Sequence, residues 1–270
     1  RIYRDDPEQG VVNHPDLGYA KMDIILLRSR NDGRTWIGPE TLRPPLIGPS
    51  FEACHRIVEL ADGRWLLPTS TWKGWTGEAP NGMKAVALVS RDRGRSWPEY
   101  MDVFDDYVHG IVHWEQSMVQ LPDGRLLAVA WALNPATGRS ETTPYAISSD
   151  GRVFGFHGQT GLRGQTCKII CLSDGRILSL YRRDDRPGLW TNLACMDGER
   201  WVNIEEMPLW QGAASGMAGN APAGDELSDL KFGYPSMVNL PNGEVFAVFW
   251  ACEDCIYNIR WFKLRLDNAQ

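Results

Sequence analysis

The sequence predicts an all-β fold, a β-propeller of four-stranded antiparallel blades, on three observations: a recurring glycine hairpin, a second turn that alternates with it, and the spacing between copies. Four segments share an apolar strand, a glycine turn and a second apolar strand: 55–68, 117–130, 168–180 and 236–248. Asp-Gly or Asn-Gly between apolar runs is a strong hairpin signal, because both turn residues tolerate positive φ at little cost. The hairpin glycines Gly63, Gly124, Gly175 and Gly243 stand 61, 51 and 68 residues apart. That spacing suits a four-stranded blade with its loops.

The second turn is clearest at Ser29-Arg-Asn-Asp-Gly-Arg-Thr-Trp36 and Ser90-Arg-Asp-Arg-Gly-Arg-Ser-Trp97, each following an apolar strand. Its physics is local: an Asp or Asn side chain accepts backbone N–H bonds, Gly takes a conformation others resist, and Trp buries its ring beneath the turn. Drifted copies lie at Ser148–Phe154 and Met196–Trp201. This turn joins the third and fourth strands of a blade, so Trp36, Trp97 and Trp201 read as structural.

In chain order, Arg1 to Arg4 read as the end of a second strand and Asp23 to Trp36 as that blade's outer half. Three complete blades follow, and Tyr234 to Leu266 begin another. About five blades are thus visible in a single domain spanning 1–270, incomplete at its N-terminal side. Either a six-bladed ring lacks its first blade or so, or a five-bladed ring closes with strands supplied elsewhere. An innermost strand missing from the first blade leaves an edge unpaired, which favours the six-bladed ring.

Composition narrows the function. The chain is 43% hydrophobic with formal net charge −6, and its basic residues are scattered, which excludes a nucleic-acid or anionic-membrane footprint. No apolar stretch approaches the roughly 20 residues that span a bilayer. Arg1 carries no information on export, so compartment and oligomeric state stay undetermined. Of six cysteines, Cys252 and Cys255 have metal-knuckle spacing but no companion pair, and read as buried thiols. Cys167 and Cys171 share a strand face too far apart to bond. Neither a metal nor another cofactor is expected.

Residues before the first strand and after the second strand of each hairpin share one rim. Those positions carry Glu52, His55, Thr69 to Lys73, His113, Trp114, Glu115, Trp131, Gln165, Arg182, Arg183, Tyr234, Trp250 and Glu253. Carboxylates, histidines, arginines and aromatics beside apolar strands suit a carbohydrate ligand, aromatic faces meeting sugar rings and carboxylates meeting hydroxyls. The segment Gln211 to Asp229, rich in Gly and Ala, reads as a long loop before Tyr234.

With these turns in this phase, nearly the whole chain resembles the sialidase (neuraminidase) superfamily, six-bladed propellers whose blades carry such turns as Asp boxes, or BNR repeats. The resemblance implies an exo-acting, retaining glycoside hydrolase. Trp114-Glu115-Gln-Ser-Met-Val matches the blade holding the family's base, and Tyr234-Pro-Ser-Met-Val the blade opening with its tyrosine nucleophile. It also implies an acid/base aspartate in the loop Arg4-Asp5-Asp6-Pro7, with Asp6 or Asp5 preferred and Asp16 in reserve. The family grips its substrate carboxylate with three arginines; the expected positions visible here carry Trp131 and Trp190 instead. Arg4, Arg56, Arg182 and Arg183 remain near the rim for another anion site. The substrate is thus a terminal sugar of a glycan, sialic acid or another acidic sugar. The alternatives are a non-catalytic carbohydrate-binding propeller, which the missing arginines permit, and a polysaccharide lyase using a His–Tyr pair built on His55 or His113.

Overall fold

A computed structural model describes residues 22–48, 50–53, 55–74, 77–213, 226 and 229–266. β1 (Ile24–Arg28) and β2 (Ile37–Leu42) form a two-stranded antiparallel sheet. In the next sheet β3 (Ser50–Ala53) and β4 (Val58–Glu59) both pair with β5 (Trp65–Trp72), followed outward by β6 (Ala85–Ser90) and β7 (Glu99–Phe104). The third sheet orders β8 (Val112–Gln120) and β9 (Leu126–Asn134), with short β10 (Arg139–Ser140) on β9, then β11 (Pro144–Ser148) and β12 (Phe156–Gln159). The fourth runs β13 (Gln165–Cys171), β14 (Ile177–Arg182), β15 (Leu189–Asp197) and β16 (Arg200–Trp210). The last holds β17 (Phe232–Asn239), β18 (Val245–Glu253) and β19 (Ile256–Leu264). The molecule is an all-β propeller; the described residues form a partial blade, three complete blades and a three-stranded one, in the phase the sequence predicts.

The hairpins form at the expected glycines, with a different turn. Only the glycine takes positive φ, at 85°, 89°, 85° and 83° for Gly63, Gly124, Gly175 and Gly243. Leu60 N donates to Arg64 O and Gly63 N to Leu60 O, enclosing three residues, and the other hairpins repeat this. This is the loop that ends in a left-handed bulge rather than the two-residue turn. The Asp side chain instead accepts the N–H two residues on, as in Asp62 with Arg64 at 3.0 Å. Arg64 and Arg125 then reach the next blade, donating to Gly151 O at 2.5 Å and Gly198 O at 2.6 Å.

The alternate turns close as their side chains dictate. Ser90 Oγ accepts from Gly94 N at 2.7 Å and Asp92 Oδ1 from Ser96 N at 2.9 Å; Ser29 and Asn31 do the same at 2.8 and 2.9 Å. Trp97 and Trp201 are buried beneath their turns, but Trp36 is 60% exposed. Its sheet has only two strands among the described residues, which leaves little against which the ring could pack. The apolar clusters lie between blades: Val58, Leu66 and Val103 meet Met118, Leu126 and Ala146, while Ile170, Leu178 and Leu189 meet Met237, Val245 and Ala251. Burial between adjacent sheets fixes each blade's rotation about the axis.

The thiol expectation is corrected. Asp254 and Cys255 form the two-residue turn joining β18 to β19, both at positive φ, and Cys255 is exposed there. A hairpin tip has no neighbouring sheet to bury it.

Candidate active site

Inner strands β8, β13 and β17 each carry a bulge at the same place. The pairing shifts between Trp114 and Ser117, between Gln165 and Lys168, and between Gly233 and Ser236. Each bulge turns on one non-glycine residue at positive φ: Glu115 at 50°, Thr166 at 55° and Tyr234 at 49°. All three stand nine residues before their hairpin glycine. A left-handed conformation costs such residues about 1 kcal/mol or more and breaks the strict in-out alternation of a strand. Glu115 and Tyr234 thereby occupy the same end of two inner strands that flank β13, rather than opposite ends of the ring.

Lys168, on the strand between them, links the two. Its ammonium donates to the main-chain oxygen of Glu115 at 3.4 Å and lies 4.7 Å from the centroid of the Tyr234 ring. Lys168 is 5% exposed, Glu115 7% and Tyr234 40%, so the tyrosine alone of the three opens widely to solvent. A cavity of about 250 Å³ lies against Lys168 and Tyr234, lined also by His55 and Arg56.

Further polar groups converge here. Glu115 N donates to Glu52 Oε2 at 3.2 Å. Burial, reinforced by the charge of Glu115, pushes the Glu52 carboxyl up to about 8, so it carries a proton at neutral pH. His55 donates through Nε2 to Met118 O at 2.9 Å and accepts from Ser117 Oγ at 3.3 Å; burial, then the Lys168 charge, lowers it to about 3 and keeps it neutral. Arg182, fully enclosed, donates to Gln165 Oε1 at 3.1 Å and Phe232 O at 3.4 Å, while its Nη2 is buried without a hydrogen-bond partner. Burial lowers its basicity, and Glu115 and Tyr234 both act on it electrostatically in the opposite sense. Two carboxyls, two cations and a phenol are therefore linked pairwise: Glu52 to Glu115, Glu115 and Tyr234 to Lys168, and the same two to Arg182.

No protein-family model matches the chain. No curated protein matches its sequence. Solved structures do match in fold. A protein of unknown function from Dyadobacter fermentans superposes with TM-score 0.65 at 22% identity, over 87% of this chain and 62% of that one. The intramolecular trans-sialidase from Ruminococcus gnavus gives 0.59 at 16%, over 92% and 51%. The NanB sialidase from Streptococcus pneumoniae gives 0.60 at 15%, over 90% and 35%.

The chain has the fold of the sialidases. It spans between about a third and three fifths of the length of these three structures.

Within this sialidase-type propeller the remaining expected residues are distributed as follows. Arg4, Asp5, Asp6 and Asp16 lie outside the described residues. Arg56 lines the cavity and is exposed. His113 is directed to Asp106, 2.9 Å from Nε2, with its ring against Phe104, and burial lowers its basicity. Trp131 is buried edge-on to Trp114 and donates to Ser140 Oγ at 2.9 Å, so it packs the wall behind the site. Arg183 is engaged by Asp185 and Glu206 and stacks on Trp190 at 4.9 Å. Glu253 pairs with Arg260 and accepts from Trp210 Nε1 at 3.2 Å.

In register, Gln165 pairs with Arg182 as Trp114 pairs with Trp131, so Arg182, named above for an anion site, holds on β14 the place that Trp131 holds on β9. Lys168 was not anticipated; the available signal was a lysine inside the apolar run Cys-Lys-Ile-Ile-Cys, where the flanking blades carry Ser117 and Ser236.

Proposed function

We propose that the protein is an exo-acting, retaining glycoside hydrolase that removes a terminal acidic sugar from a glycan. The observation that carries this reading is the common bulge that sets Glu115 and Tyr234 on either side of Lys168, both within electrostatic reach of Arg182. Tyr234 Oη attacks the anomeric carbon and its proton passes to Glu115, because a phenol is a poor nucleophile until a base takes that proton. The bond to the leaving oxygen breaks, and that oxygen is protonated by one of Asp5, Asp6 and Asp16. Water then attacks the anomeric carbon, losing its proton to that aspartate, while the tyrosine oxygen leaves and recovers its proton from Glu115. Retention follows from the two displacements.

The charge of the site supports an acidic sugar. Arg182 presents a buried donor without a partner, Lys168 and Arg56 add positive charge, and Glu52 is neutral at pH 7. The acid is sialic acid or another acidic sugar; Trp131 and Trp190, where the resemblance expects two arginines, call for a carboxylate grip built on Arg182 instead.

The test is a panel of fluorogenic glycosides with terminal sialic, uronic and neutral sugars. Release from an acidic sugar, lost in both Tyr234→Phe and Glu115→Gln with the fold retained, is the expected result. A fluorinated substrate that traps the intermediate should label the peptide containing Tyr234. Unsaturated product absorbing in the ultraviolet would replace this reading by a lyase, and binding without turnover by a lectin-like propeller.

A further inference from the structure

Lys168 is unusual in its setting before any mechanism is considered. It projects from the middle of an inner strand whose neighbours are apolar, and it is 5% exposed. Burying an ammonium costs several kcal/mol unless nearby negative or polar groups compensate. Its surroundings include the Glu115 main-chain oxygen at 3.4 Å and the face of Tyr234 at 4.7 Å. Its charge also reaches Glu52 and His55, favouring the ionised form of the first and disfavouring that of the second. One cation thus acts on Glu52 and His55 while touching Glu115 and Tyr234.

We propose that Lys168 is the positioning residue of this site, a fixed counter-charge that holds the Tyr234 ring by its face and stays within reach of the negative charge as it moves between Glu115 and Tyr234. The inference rests on the Tyr234–Glu115 reading above and adds a component to it. When the proton passes from Tyr234 to Glu115, negative charge moves from carboxylate to phenolate and net charge is unchanged. In a partly dry cavity such a shift is costly unless a cation attracts the charge at both ends. Lys168, on the intervening strand, lies against the Glu115 backbone and the face of the Tyr234 ring, and adds its charge to that of Arg182, which both groups also reach electrostatically.

The experiment titrates the phenolate of Tyr234 by ultraviolet difference spectroscopy, wild type against Tyr234→Phe, and repeats it in the background of Lys168→Met and Lys168→Arg. The phenolate should appear at higher pH in Lys168→Met than in wild type and return toward wild type in Lys168→Arg. Turnover of the acidic glycoside should fall at least tenfold in Lys168→Met through kcat rather than KM, with partial recovery in Lys168→Arg. A phenolate signal at the same pH in wild type and Lys168→Met overturns the proposal. Where Lys168→Met does not fold, Lys168→Gln takes its place with the same two outcomes. Because the titration needs no substrate, it separates the two ideas. An active Tyr234→Phe enzyme defeats the nucleophile assignment, while an unmoved phenolate defeats only the role of Lys168.

Discussion

Glu52 Oε2 accepts a hydrogen bond from the backbone N–H of Glu115 at 3.2 Å, joining residues 63 positions apart and on different blades. The bond anchors the bulge that gives Glu115 its left-handed backbone, and it places a carboxyl that burial holds protonated beside one the mechanism needs ionised.

The pH dependence of stability follows from that carboxyl. Its folded value of about 8 lies above its ordinary 4.5, so between these values the native state binds the extra proton. Stability therefore declines as pH rises through that window and the loss is complete above it. Glu52→Gln removes the titration. The variant should melt close to wild type at pH 5 and above it at pH 9, by on the order of a few kcal/mol. Calorimetry at the two pH values checks this; equal shifts at both would show that Glu52 is ionised throughout.

Tyr234→Phe and Glu115→Gln should each lower kcat by about 10²-fold or more without lowering the melting temperature by more than a few degrees. The double variant should lose little beyond the worse single one, because two residues sharing one proton act as a unit. Steady-state kinetics on the acidic glycoside measures this, and independent, multiplying losses would argue against a shared proton.

Gly233→Ala should disable the site from one residue away. Gly233 has φ of 155°, and an added Cβ would sit 2.5 Å from Arg182 Nη1. The substitution strains the backbone by about 1–3 kcal/mol and displaces the buried guanidinium. The expected result is a KM for the acidic glycoside raised at least tenfold, with a smaller effect on any neutral glycoside the enzyme accepts. Equal losses on both would assign the damage to the backbone alone.

Two tryptophans of one motif should behave differently. Trp97 is 5% exposed and packs with Leu88 and Val86, whereas Trp36 is 60% exposed. Trp97→Ala should cost about 3–5 kcal/mol, the range for deleting a buried aromatic, and Trp36→Ala less than about 1. Denaturant unfolding of both variants makes the comparison.

The hairpin glycines, the Ser-Asx turns and the phase of the blades were legible in the residues because each is a local event, closed within five residues by its own side chains and backbone. Phase also carried Glu115 and Tyr234 to equivalent positions, since a repeat delivers equivalent positions to one rim. The turn type at Gly63 and its counterparts was misjudged, because Asp-Gly serves both the two-residue turn and the three-residue one, and the choice depends on how the flanking strands twist. Cys255 and Trp36 departed from expectation for one reason: their burial depends on what lies beside a sheet, which residue order does not state.

Only the tertiary structure decided the composition of the site. The bond between Glu52 and Glu115, the contact of Lys168 with both Glu115 and Tyr234, and the pull of both on Arg182 each cross from one blade to another over 50 or more residues. Sequence alone determined that inner strands meet around an axis and which residues lie at their ends. Which of those side chains touch is set by how far adjacent blades rotate against each other, and that rotation is fixed by the packing of apolar surfaces between sheets, a property of the assembled ring rather than of any one hairpin.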